Sequence, residues 1–153
     1  MAERIVVDSS VFVAALRSRE GASRAVLRLC LQRRSQPLMG EKLFREFEDV
    51  VSRSELFTQS ALGAPEREEL LDALLSVCEW VEIFFLWRPN LPDEGDNHLI
   101  ELAIAGGAAS IVTHNVRDLR SGELRFPQIA VETPAEFMNR WRKTYGDDDN
   151  QIA

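Results

Sequence analysis

The sequence predicts an α/β fold in which a mostly parallel sheet is covered by helices on both faces. Two observations carry that reading: short β-branched runs alternate with stretches of helical period, and the first run, Ile5-Val6-Val7, is apolar at every position. Strands separated by helices call for βαβ crossovers and hence parallel pairing. An unbroken apolar strand is one buried on both sides.

After the first strand, Val11, Ala14 and Ala15 share a helical face; Gly21 interrupts the pattern and Ser23 restarts it through Ala25, Val26, Leu29 and Cys30. Residues 36–40 read as extended. Glu41 then opens a helix with Leu43, Phe44, Phe47, Val50 and Val51 at 3.6-residue spacing, and Pro65 starts another through Leu70, Leu71, Leu74, Leu75 and Cys78. Val81-Glu82-Ile83-Phe84-Phe85 reads as a buried strand. Pro89 and Pro92 bracket a polar loop, Asp93-Glu94-Gly95-Asp96-Asn97, which leads into an apolar helix ended by Gly106-Gly107. Ser110 to Thr113 and Ile129 to Val131 read as strands, and a last helix runs from Pro134 through Phe137, Trp141 and Tyr145.

With 153 residues, 45% of them hydrophobic, residues 1–145 are expected to form one domain, and residues 146–153 an acidic, disordered tail around Asp147, Asp148 and Asp149. The net charge of -7 argues against a protein that grips duplex nucleic acid by broad phosphate neutralisation. Basic residues nonetheless gather early, at Arg17, Arg19, Arg24, Arg28, Arg33 and Arg34, where ordinary solvated helix faces account for most of them. Cys30 and Cys78 have no Cys or His at ligand spacing and read as reduced thiols, which favours the cytoplasm. No apolar stretch approaches the roughly 20 residues of a membrane span.

Four places set acidic or amide side chains beside strand ends or helix starts: Asp8, Glu46, the loop from Asp93 to Asn97, and Thr113-His114-Asn115 with Asp118. In a parallel sheet such positions meet at the carboxyl edge, where open α/β folds bind ligands. Each also has a plainer reading. Asp8, Ser9 or Ser10 would serve as the N-cap of a helix at Val11, Glu46 lies in a helix rich in solvated acids, and the 93–97 loop suits a turn with a helix cap. If the carboxylates do converge they repel one another, so a cation is needed, and all-oxygen ligands select a hard ion, Mg²⁺ or Mn²⁺. His98 reads as an ordinary first-turn residue and His114 as a polar residue at the rim of a site; neither has a zinc partner. Trp80, Trp87 and Trp141 read as core or interface before base-stacking platforms.

The segments Val6-Val7-Asp8-Ser9-Ser10-Val11-Phe12, Leu43 to Val51, Asp93 to Ala103 and Ile111 to Leu119 together resemble PIN-domain ribonucleases, most nearly the PIN-family toxins of bacterial toxin–antitoxin systems. Each segment reduces to an acid in an apolar frame, and their order and spacing make the joint signal. The resemblance implies a three-layer α/β/α sandwich around a mostly parallel sheet and Mg²⁺- or Mn²⁺-dependent cleavage of single-stranded RNA. It matches Asp8, Glu46 and Asp96 to the family's first three acids, as metal ligands and catalytic residues. Ser9 or Ser10 matches the hydroxyl that helps to orient the first. At the fourth acid the chain departs: relatives read Thr-Gly-Asp-x-Asp-Leu, and here Thr113-His114-Asn115-Val116-Arg117-Asp118-Leu119 carries an extra residue and an amide, Asn115. An amide oxygen coordinates without charge, so a second metal would be held more weakly. Asp93, Thr113, His114 and Asp118 are accessory candidates.

The leading expectation is therefore a metal-dependent endoribonuclease acting on single-stranded or structured RNA, a toxin restrained by a small antitoxin. A homodimer is compatible with the apolar helix from Leu70 to Cys78, which core burial explains equally well. The alternative is a degenerate PIN domain that binds RNA or a protein without cutting. A receiver-like or phosphate-binding domain is weaker, since the chain has no glycine-rich phosphate loop.

Overall fold

The computed structural model describes residues 2–18, 21–83, 97–120 and 128–146. Strand β1 (Glu3–Val7) leads into α1 (Ser9–Arg17) and α2 (Ala22–Leu31), β2 (Ser35–Met39) into α3 (Glu41–Ser52), a 3-10 turn (Ser54–Phe57) and α4 (Ala64–Val77). There follow β3 (Glu79–Trp80), α5 (Asn97–Gly106), β4 (Ser110–Val112), α6 (Val116–Arg120), β5 (Ala130–Glu132) and α7 (Pro134–Tyr145). Gly21 separates α1 from α2 at φ 108°, a backbone that side-chain-bearing residues rarely adopt.

Among the described residues the strands form one sheet, ordered β3-β2-β1-β4-β5, with every pairing parallel. Ile5, Val6 and Val7 are all buried, as the unbroken apolar run requires of a central strand. Helix α2 packs on both α1 and α7, whereas α5 lies directly against β1, β2 and β4. The chain moves outward from β1 to β3 and then returns across the sheet to β4, so right-handed crossovers put α5 on the face opposite α1 and α2. The result is a three-layer α/β/α sandwich.

Strands β2, β4 and β5 differ from expectation by one residue at one or both ends, and the third strand differs by more. The sequence pattern points to a third strand at Val81 to Phe85, yet pairing occurs at Leu38 with Glu79 and Met39 with Trp80, directly after α4. As an edge strand it leaves both residues exposed, so burial periodicity carries no signal there. Val81 still donates its N–H to the Met39 carbonyl at 2.9 Å, and Val81 and Ile83 pack on the core; Phe84 and Phe85 lie outside the described residues. The fifth strand begins at Ala130, one residue later than expected, because its ladder aligns Ala130 with Ser110. Helix α6 and the 3-10 turn are too short to show a period and were not foreseen. Trp80 is 53% exposed rather than core, its ring edge-on to Phe44 at 5.5 Å, while Trp141 is buried. Trp87 and the acidic tail at 147–153 lie outside the described residues.

The apolar residues of α4 are used internally: Leu71 and Leu74 are buried, and Leu70, Leu75 and Cys78 pack against the core. Both cysteines are free, and burial pushes the Cys78 thiol up to about 12 and raises Cys30 as well, which keeps them as unreactive thiols. No helix among the described residues is long and apolar enough to cross a membrane.

The C-terminal helix is fastened by charge. Thr133 and Glu136 form a capping box at its start. Further along, Arg140 Nε donates to Glu132 Oε2 at 2.9 Å and Nη2 donates to Glu3 Oε1 at 2.6 Å, joining α7 to β5 and β1. Its guanidinium is held above its ordinary pKa by the hydrogen bonds it donates to Glu132 and then to Glu3. Arg140→Met strips both carboxylates, 11% exposed, of their cation. Because Arg140 itself is more than a third exposed, the expected loss is about 2 kcal/mol, below the figure for a fully buried pair. It should appear as a lower urea midpoint at unchanged slope, and an unchanged midpoint would contradict this role.

Candidate active site

The register aligns Val7 of β1 with Val112 of β4, so the next residues, Asp8 and Thr113, stand side by side at the carboxyl edge. The ladder continues through them: Asp8 N–H donates to Val112 O at 3.0 Å and Thr113 N–H to Glu132 O at 2.9 Å. Asp8 occupies the N-cap position of α1, but its side chain makes no capping hydrogen bond. Its Oδ2 instead accepts from Thr113 Oγ1 at 2.7 Å and from Ser10 Oγ at 2.9 Å. Asp8 is thus the N-cap of α1 through its backbone, its carbonyl accepting from Val11 N–H at 3.0 Å, while its carboxylate is committed to the two hydroxyls instead of the helix end.

Both hydroxyls are oriented from behind. Asn115 N–H donates to Thr113 Oγ1 at 3.0 Å and His114 N–H to Ser10 Oγ at 3.4 Å. A hydroxyl has a single proton, so an oxygen that accepts from a backbone N–H turns that proton toward the carboxylate. Asp8 is only 8% exposed and Thr113 fully buried, which fixes Oδ2 while Oδ1 accepts nothing among the described residues.

The second acid sits on α3. Glu46 is half-exposed on the flank of the buried stripe formed by Leu43, Phe47 and Val51, as its apolar neighbours predict. Its Oε1 lies 3.1 Å from Nε2 of His98, in the first turn of α5. His98 is thus no ordinary first-turn position: it is 6% exposed, and its Nδ1 has no partner among the described residues. Helices α1 and α3 meet through Phe12, one turn beyond Asp8, and Phe47, next to Glu46, whose rings lie edge to face at 5.2 Å.

Of the remaining candidates, Ser9 is half-buried at the start of α1, and Asp118 is half-buried in the first turn of α6. Asn115 is half-buried between β4 and α6. His114 is exposed, with Nε2 3.2 Å from Ser23 Oγ. Asp93 and Asp96 lie outside the described residues; Asp96 immediately precedes Asn97, the first residue of α5. Glu101, unremarked from sequence, is 4% exposed and lines a cavity of about 630 Å³ with His98, Gly40, Phe44 and Trp80. The signal was present as a single acid between Ile100 and Leu102 of an apolar helix.

Among the described residues no three His, Cys, Asp or Glu side chains converge as a ready metal cage. The two matched acids that are described, Asp8 and Glu46, supply hard oxygen donors, each with one oxygen that no described residue engages, and that chemistry suits a divalent ion completed by a further carboxylate.

Residues 4–117 match the sequence profile of the PIN domain. The chain belongs to the PIN-domain family. Members of that family are generally nucleases and typically use divalent metal ions. The PIN fold here is similar to VapBC2 from Rickettsia felis, crystallised with a DNA fragment from its promoter: TM-score 0.58 and 17% identity over 85% of this chain and 98% of that one. It is also similar to PAE2754 from Pyrobaculum aerophilum, with TM-score 0.54 and 15% identity over 91% of this chain and 90% of that one. No curated protein matches the sequence closely enough to count as a relative.

Thr113→Val keeps the shape of the side chain in this PIN domain but removes a hydrogen bond to a charged group and leaves the Asn115 N–H without its acceptor. The expected cost is about 2 kcal/mol, against roughly 1 kcal/mol for Thr113→Ser, which keeps the hydroxyl. Chemical denaturation reads the difference, and a valine variant as stable as the parent would show that the hydroxyl does not hold Asp8.

Proposed function

We propose that this PIN domain is a metal-dependent endoribonuclease for single-stranded RNA. Asp8, Glu46 and Asp96 are its ligands for Mg²⁺ or Mn²⁺, with Asn115 assisting through its amide oxygen. The observation that carries the reading is the Asp8 carboxylate, held at the carboxyl edge by two hydroxyls with no capping task of its own. A buried acid whose orientation is set by two donors is prepared to present its other oxygen to a cation. A divalent ion bound there supplies positive charge to a phosphodiester and makes water a nucleophile near neutral pH. The chain's own part is to fix Asp8 through Ser10 and Thr113, to present Glu46 from α3, and to offer the exposed His114 to the substrate backbone.

The biological setting we favour is a toxin restrained by a small antitoxin, supported by the likeness in fold to the VapBC2 assembly and by the sequence resemblance. Asn115 at the place of a fourth acid favours a second reading, a PIN domain that binds RNA or a protein without cutting.

Purified protein should cleave a mixed single-stranded RNA pool with Mn²⁺ or Mg²⁺ and not with EDTA, and Asp8→Asn and Glu46→Gln should each lower the rate by about 100-fold or more with the fold intact. Cleavage that survives EDTA or Asp8→Asn would overturn the assignment. Absence of both cleavage and Mn²⁺ binding would favour the non-cleaving domain.

A further inference from the structure

The ring of His98 is buried against α3 with one nitrogen 3.1 Å from Glu46 Oε1 and the other buried without a partner among the described residues. Between the two neutral tautomers, those two facts favour the one protonated on Nε2. On Nδ1 the proton would be a buried donor with nothing to meet, and Nε2 would turn a lone pair toward a carboxylate; on Nε2 it is donated to Glu46. Glu46 itself is 43% exposed on a long flexible stem, so without that donor its carboxylate would range over several rotamers at the edge of the site. The ring costs solvation to bury and leaves one nitrogen unsatisfied, a poor choice for a core position that packing alone would fill with Leu.

We propose that His98 is a positioning residue: as the Nε2-protonated tautomer it fixes the Glu46 carboxylate for cation binding, as Ser10 and Thr113 fix Asp8. This rests on the reading of Asp8 and Glu46 as metal ligands. It also gives α5 a task in the site, since its first turn then sets an acid on a different helix. Donors that orient a ligating side chain are typically worth about 10- to 100-fold in metal affinity.

Three variants separate donation from packing. Leu retains bulk and removes the donor; Gln carries its amide nitrogen as many bonds from Cβ as Nε2; Asn is shorter by one bond and falls short of Glu46. With Mn²⁺ as the probe in calorimetric titration, His98→Leu and His98→Asn should bind about 10-fold more weakly than the parent, and His98→Gln within about 3-fold of it. Nitrogen-15 NMR of the metal-free protein should find the His98 proton on Nε2. Equal Mn²⁺ affinity in all three variants, or a proton on Nδ1, would overturn the role of His98. If instead Asp8→Asn binds Mn²⁺ as tightly as the parent, the metal assignment fails while the NMR result still decides the tautomer.

Discussion

The parallel pairing of β1 with β4 aligns Val7 with Val112, and that alignment sets the Asp8 carboxylate beside the Thr113 hydroxyl. The side-chain period of a strand is two, so a slip of one residue would turn Thr113 to the other face and leave the buried Asp8 with Ser10 as its remaining donor. Register is protected from both sides. Ile5 and Val6 are fully buried, and Arg140 ties Glu3 at the start of β1 to Glu132 at the end of β5. The site is thus a consequence of strand register, and register is a consequence of a core that covers both faces.

The two described acids are handled differently. Asp8 is buried, short and held by hydroxyls whose own orientation comes from the backbone of residues 114 and 115. Glu46 is half-exposed, long and met by a ring from another helix. Burying the first limits the cost of ordering it, because an Asp has few rotamers to lose; the second keeps solvent contact and relies on one directional bond.

Much of this was legible in the residues. The continuous apolar run at Ile5 to Val7 identified a central strand, and helices starting at Glu41 and Pro134 followed from period and capping chemistry. The place of Asp8 at the carboxyl edge followed from topology. What escaped was anything decided by contacts distant in sequence. Residues 79 and 80 form a strand because Leu38 and Met39 lie beside them, and an edge strand bears no burial pattern. His98 looked unremarkable because its partner is 52 residues away. Glu101 does not stand out in the sequence because an isolated acid in a helix is commonly solvated, and only packing reveals its burial.

The central claim is that the carboxyl edge binds a divalent ion through Asp8 and Glu46. Anomalous diffraction from crystals grown with Mn²⁺ tests it most directly. A single strong peak within coordination distance of both carboxylates, lost in Asp8→Asn crystals, is the predicted result. A peak elsewhere, or none at saturating Mn²⁺, would contradict the account.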